Sequence, residues 1–160
     1  MEEIKIKPIG IINTPFKTRD GMPIQPSGAK GVNGIIKIHN KYVDGLKDLD
    51  GFSHIILIYQ FHLVKDYELN IVPFMDDKPH GVFSTRAPKR PNTIGFSVVK
   101  LIKVDENLIY IENIDVLDET PLIDIKPLIP DVDYADVTKL GWLEGKSDKM
   151  GDKTADKRFL

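Results

Sequence analysis

The sequence contains no cysteine, which excludes disulfide scaffolds, thiolate zinc sites and cysteine nucleophiles together. It has no long apolar run either. Its strongest stretch, HIILIYQFHLV at residues 54–64, is about half of the ~20 residues that a bilayer-spanning helix requires. Neither sign of charge dominates, since 22 lysines and arginines face 24 aspartates and glutamates. A polyanion therefore has to be met by a local patch. The phosphate-cradling patterns G-x-G-x-x-G and G-x-x-x-x-G-K-[ST] are missing, which disfavours the βαβ nucleotide folds. So are H-E-x-x-H and G-x-S-x-G, and with them the common zinc protease and serine hydrolase routes. No metal site is expected. The beginning, MEEIKIKPIG, is acidic and has no apolar signal core, so a cytoplasmic protein is expected, without a membrane segment.

What is present suits a mainly β protein of one domain. The 160 residues, 41% hydrophobic and 29% charged, allow a single hydrophobic core. Residues 1–144 are expected to form that domain. Residues 145–160, GKSDKMGDKTADKRFL, are charged and poor in large apolar side chains, and predict a flexible tail. Short segments with period-two alternation or β-branched residues, bounded by Gly, Pro, Asn or Asp, predict strands. They are Ile4 to Asn13, with Pro8 at an edge or bulge, Gly34 to His39, and a central buried strand from Phe52 to Val64. A hairpin folds at DEN (105–107). Val43, Leu46 and Leu49 fall at helical spacing ahead of Gly51, predicting one short helix. The segment from Asp118 to Asp133, with Pro121, Pro127 and Pro130, predicts loop and edge strand rather than helix.

Three features carry candidate chemistry. His54 and His62 alternate onto one face of the central strand about 26 Å apart at ~3.3 Å per residue, too far to share a metal ion. His62 ends the strand, within reach of a ligand. The stretch GVFSTRAPKRPNTIG (81–95) sets Arg86 and Arg90 around Pro88, with Pro91 after. Prolines stiffen this backbone, so guanidinium groups are fixed on a planar or anionic ligand at low entropic cost. The alternative is a structural connection whose arginines pair with carboxylates. Third, Asp115, Asp118, Asp124 and Lys126 form an acidic, proline-rich run whose carboxylates suit hydrogen bonding to a ribose or an ammonium group, general-base chemistry, or turn formation and capping.

Taken in order, IGIINTPF, QPSG, GFSHIILIYQFH, GVFSTRAPKRPNTIGFSVVKL and DVLDETPLIDIKPLIP resemble the TsaA/TrmO family from about Ile9 to about Asp133. These tRNA methyltransferases use S-adenosyl-L-methionine to methylate the exocyclic amine of threonylcarbamoyl-adenosine beside the anticodon. The resemblance implies a single-domain, TsaA-like β-barrel, non-Rossmann, acting as a homodimer with the cofactor near the subunit interface. It places the cofactor on Gln25, Pro26, Ser27 and Gly28, on His62 and Leu63, on Arg86 and Phe96, and on Glu112, Asn113, Ile114 and Asp115. Lys89, Arg90 and Asn92 are implied to face RNA, with Lys78, His80 and the tail lysines on phosphates. Phe61, Phe83 and Phe96 offer aromatic faces to a sulfonium. Asp124 is the candidate proton acceptor and Lys126 the candidate partner of the threonyl carboxylate. Ser84, Ala87, Lys89 and Thr93 depart from the family pattern, and Glu119 stands where glycine is common. Two alternatives remain at this level: methyl transfer to another RNA or a small molecule, and a non-catalytic sensor of cofactor or RNA.

Overall fold

Alternation at period two turns every second side chain of each strand inward, and six such strands close on themselves. The computed structural model describes residues 2–159, apart from the side chain of Lys157. Strands β1 (Gly10–Asn13), β2 (Asn33–Ile38), β3 (His54–Gln60), β6 (Ile94–Asp105), β7 (Leu108–Glu112) and β8 (Thr120–Pro127) form an antiparallel barrel in the order β1-β2-β7-β6-β3-β8. The two-residue strands β4 (Asn70–Ile71) and β5 (His80–Gly81) pair outside it. Ile12, Ile36, Ile55, Leu57, Val99 and Ile109 meet inside with no solvent exposure. The expected mainly β, non-Rossmann barrel is what forms.

The hairpin folds where expected, with β6 and β7 joined across Asp105 and Leu108. Glu106 takes the left-handed conformation at φ 52, while the Asn107 side chain donates to the Ile38 carbonyl at 3.1 Å and so ties the turn to β2. β3 is shorter than expected. It ends at Gln60, so alternation does not carry His62 onto the His54 face. Its outward residues His54, Ile56 and Ile58 are half-buried rather than buried, and Gln60 is exposed.

Three local expectations are corrected. First, the extended segment from Ile4 becomes strand only at Gly10, and Ile4 is 85% exposed. Second, the short helix is a 3-10 helix in two pieces, Asn40–Leu46 and Leu49–Gly51, separated by Asp48 at φ 64. Third, β8 is not an edge. It closes the barrel by lying against β1 through Thr120–Leu122 and against β3 from Leu122 to Pro127. Each proline in it borders one partner strand only, which is why neither breaks the ladder. Pro130 then opens a single α-helical turn, α1 (Pro130–Asp133), at a position where the missing N–H costs nothing.

The C-terminal segment folds back onto the body. Ala155 N–H donates to the Met22 carbonyl and Gly21 N–H to the Ala155 carbonyl. Phe159 is 5% exposed in a second apolar cluster with Ile71, Val82 and Ala87, its ring edge-on to Phe74 at 4.8 Å. This cluster sits beneath the Arg86 loop. Trp142 braces the loop from another side by donating from Nε1 to the Ser84 carbonyl at 2.8 Å.

Two backbone positions have testable consequences for stability. A Cβ at Gly95 would lie 2.2 Å from the Tyr59 ring, so Gly95→Ala is expected to cost about 1–3 kcal/mol in urea denaturation through displacement of that ring. Glu119 sits at φ 60, a conformation only glycine adopts without strain. Glu119→Gly is expected to raise stability by about 0.5–1 kcal/mol in the same assay.

Candidate active site

The loop between β5 and β6 is organised from within by its own cation. Arg90 donates from Nη1 to the carbonyls of Thr85 (2.8 Å) and Val82 (3.1 Å), and its guanidinium lies 5.8 Å from the Phe83 ring centre. Thr85 adds bonds to Val82 and Ala87. Ala87 is buried at the base. These contacts push Arg86, one residue before that anchor, outward.

Exposed Arg86 donates to Gln25 Oε1 at 3.1 Å and stands 5.6 Å from the Phe96 ring centre. Gln25 precedes the 3-10 turn Pro26–Gly28. The turn has no room for a side chain at Gly28, where a Cβ would come 2.6 Å from the Gly151 carbonyl oxygen. An open groove of about 480 Å³ runs between Ser27, Gly28 and Lys30 on one side and Ser147–Asp152 on the other. A larger one of about 570 Å³ crosses Asn33, Ile35, Ile102 and Tyr110 on the barrel wall. Arg86 lines neither groove, so the chemistry of the Arg86 cluster, rather than groove size, marks the candidate site.

The Arg86 charge also acts on Asp115. Tyr59 O–H donates to Ser97 Oγ at 3.0 Å and Ser97 O–H donates to Asp115 Oδ1 at 2.7 Å. Tyr59 and Ser97 are buried. Burial, resisted by the Ser97 hydrogen bond, the residue's own backbone N–H and the Arg86 charge, pushes the Asp115 carboxyl up to about 6. Burial and the Asp115 charge push the Tyr59 phenol well above its usual range, so it stays protonated. Gln25, Arg86 and Phe96 thus converge from three separate segments of the chain, and the Arg86 charge reaches Asp115 from there.

The rest of the expected set divides. Within residues 112–115 only Asp115 joins the Arg86 cluster. Glu112 pairs across the strands with Lys100 at 2.9 Å, Asn113 at φ 69 accepts from Gly31 N–H at 2.9 Å, and Ile114 is in the core. His62 and exposed Leu63 lie in the turn after β3, where Val64 N–H returns to the Phe61 carbonyl. Burial and the neighbouring Arg19 charge lower the His62 pKa, which keeps the ring neutral. Lys89 is held by Glu68 (2.9 Å) and Asp66 (3.9 Å), and the Glu68 hydrogen bond raises its pKa. Asn92 is exposed and its carbonyl accepts from Ile94 N–H.

Asp124 and Lys126 pair with each other at 2.9 Å. Asp124 is opposite Ile58 and Ile58 opposite Phe96, which sets Asp124 about 10 Å from Phe96 across two strand spacings. Asp118 has a structural role. It accepts from Asn13 (3.2 Å), Thr14 N–H (2.9 Å) and Lys17, and despite some burial these bonds hold its carboxyl at about 2. His80 stacks on Trp142 at 4.5 Å and bonds Asp76 at 3.2 Å. Of the three phenylalanines, Phe61 packs edge-on against Tyr59 at 5.5 Å, whereas Phe83 is 75% and Phe96 47% exposed.

Sequence reasoning missed Ser97, Tyr59 and Arg19. Ser97 carried a signal, since it is a hydroxyl among the inward residues Gly95, Val99 and Leu101 of β6. Among the described residues no three His, Cys, Asp or Glu side chains gather as a metal site, and no helix is long and apolar enough to cross a membrane.

Comparison with known proteins gives this arrangement a family. Residues 11–134 match the tRNA-methyltransferase O N-terminal domain. A probable S-adenosyl-L-methionine-binding protein of Pyrococcus abyssi is 47% identical over 154 residues, covering 96% of this chain and 84% of the relative. The tRNA (adenine(37)-N6)-methyltransferase of Mus musculus is 38% identical over 136 residues, which are 79% of this chain and 31% of that enzyme. A crystal structure of TrmO from Pseudomonas aeruginosa superposes with a TM-score of 0.74 at 32% identity, over 88% of this chain and 63% of the other.

A raised carboxyl pKa stabilises the fold below the unfolded value of about 4 and loses that contribution as pH rises through about 6. Asp115→Asn keeps an acceptor for Ser97 and removes the charge. Its melting temperature should therefore exceed that of the unsubstituted protein at pH 7.5, equivalent to about 1–2 kcal/mol, and converge with it at pH 4.

Proposed function

The chain belongs to the tRNA-methyltransferase O family, and on that premise we propose that it transfers the methyl group of S-adenosyl-L-methionine to the exocyclic amine of threonylcarbamoyl-adenosine beside the anticodon of a tRNA. The observation that carries this reading is the Arg86 cluster, in which a guanidinium joins Gln25 to the face of Phe96. These groups fit the cofactor. Arg86 suits its carboxylate and an exposed aromatic face suits its sulfonium. The bound cofactor supplies an electrophilic methyl group. The chain's residues align it with the amine and exclude water, which is most of what an in-line displacement requires.

The acceptor base has to leave its stack to be reached. Exposed Phe83, backed by Arg90, offers a face for it, and exposed Asn92 belongs to the same loop. Arg90 is committed to two carbonyls and serves this surface as its support. Lys89 reaches a phosphate by exchanging Glu68 for it. Residues 1–144 carry the activity in this reading, and residues 147–152 brace the Pro26–Gly28 turn.

A homodimer accords with the outward face of β3 and β6, where Ile56, Ile58, Ile94, Phe96 and Val98 form an apolar row. Ile94 is 40% exposed, and pairing two such faces brings Phe96 to the subunit boundary. A cytoplasmic setting follows from the tRNA substrate.

Labelled S-adenosyl-L-methionine incubated with fractionated tRNAs, threonine-type first, is expected to label RNA. Arg86→Ala is expected to weaken cofactor binding roughly 10- to 100-fold by calorimetry, the equivalent of one lost charge-assisted contact. tRNA affinity should fall steadily as salt rises. Cofactor binding without label in any RNA pool would favour a sensor and defeat the proposal.

A further inference from the structure

The Tyr59–Ser97–Asp115 chain gives the proposed reaction a feature that its cofactor-binding residues alone do not require. The hydrogen bonds run in one direction, from the Tyr59 hydroxyl inside the barrel to Ser97 Oγ and from Ser97 to Asp115 Oδ1. Ser97 is 1% exposed and Tyr59 4%. Both donors therefore serve to hold one carboxylate. Among the described residues no other side chain donates to Asp115, so Oδ2 has no side-chain partner, and the residue's own backbone N–H adds to the hold on the carboxylate. The carboxylate is half-buried and within reach of the charge of Arg86, the residue that links Gln25 to Phe96. The charged and titratable groups acting on it are Arg86 from the loop and Tyr59 from β3, with neutral Ser97 from β6.

We propose that Asp115 is the proton acceptor of the methyl transfer, held in place by Ser97 and Tyr59. This rests on the methyltransferase reading above. In the step the amine nitrogen's lone pair forms the new N–C bond, while the C–S bond breaks and its electron pair stays on sulfur. The nitrogen's proton passes to Asp115 Oδ2, which becomes a neutral carboxyl and afterwards releases that proton to solvent. Exit lies outward, because the inner end of the chain is a phenol that is itself a donor.

Other acceptors nearby serve less well. Asp124 is ion-paired to Lys126 on the outer face, two strands from Phe96. His62 lies in the turn beyond β3 next to Arg19. Asp115 combines a place in the Arg86 cluster with a proton affinity near neutrality, so it is ionised at pH 7 yet basic enough to take a proton.

The test uses the full chain with S-adenosyl-L-methionine and the tRNA that the unsubstituted protein labels, with folding of each variant checked by its melting curve. Asp115→Asn is expected to lower kcat by roughly 10²–10³-fold, well beyond any accompanying rise in cofactor Kd. The unsubstituted protein should show an acid limb in kcat with a midpoint near about 6, absent from Asp115→Asn. Ser97→Ala removes a donor that stabilises the carboxylate and should move that limb to higher pH. Carbon-13 NMR of the cofactor-free protein reads the same group without turnover, with an Asp115 midpoint near about 6 that rises in Ser97→Ala. An Asn variant with kcat within threefold and an unchanged acid limb overturns the assignment. So does one whose Kd worsens as much as its rate falls, or an NMR midpoint at the ordinary carboxylate value. If the unsubstituted protein binds cofactor but labels no RNA, the tRNA reading itself fails. An active protein with an unaffected Asn variant sinks only the acceptor.

Discussion

The ring of Tyr59 lies where a side chain at position 95 would have to be, and much of the site hangs on that contact. Because Gly95 has no Cβ, the Tyr59 ring can lie across it and bring its phenol to Ser97, two residues along. The same ring packs edge-on against Phe61, so its position is set by packing on one side and by hydrogen bonding on the other. A buried phenol without a partner costs free energy. The Ser97 contact removes that cost and leaves the Ser97 hydrogen free for Asp115. One glycine thus couples the apolar interior to a carboxylate at the rim of the Arg86 cluster.

The loop above is stiff for a different reason from the one its composition suggests. Prolines limit its backbone, but Arg90 ties it by taking two carbonyls of the preceding turn. Two arginines four residues apart therefore have opposite fates. Arg90 is spent on the loop itself and Arg86 projects toward Gln25. The base of the loop rests on a small second core that includes Phe159 from the far end of the chain, so residues 141–159 act as a brace for both the loop and the Pro26–Gly28 turn.

Much of the barrel was legible because period two is a property of neighbouring residues. The β6–β7 hairpin could be placed from DEN alone, since its turn is local. Where reading and structure part, the cause is non-local. β8 looked like an edge because proline cannot donate, yet it is shared lengthwise between β1 and β3, an arrangement that sequence does not display. The helix around Val43 has the right spacing but closes as 3-10 turns interrupted at Asp48. The charged C-terminal segment had one aromatic in its last residues, and that aromatic found an apolar hole left by Ile71, Val82 and Ala87.

For the site, residue types and local stiffness could be read directly: a cationic loop held by prolines, an aspartate-rich run after β7, and no thiol or phosphate-cradling glycines. Those are covalent or short-range properties, and the chain by itself determines them, together with the family resemblance they carry. Which arginine faces outward, which aspartate enters the cluster and which is used up in a corner or an ion pair depend on register between strands far apart in sequence. Asp115, Asp118 and Asp124 are alike in a string of letters. Barrel closure sets the first beside Ser97 and Arg86, the second on Thr14 and Lys17, and the third on Lys126, and these different neighbours decide whether each carboxylate is poised, pinned or paired.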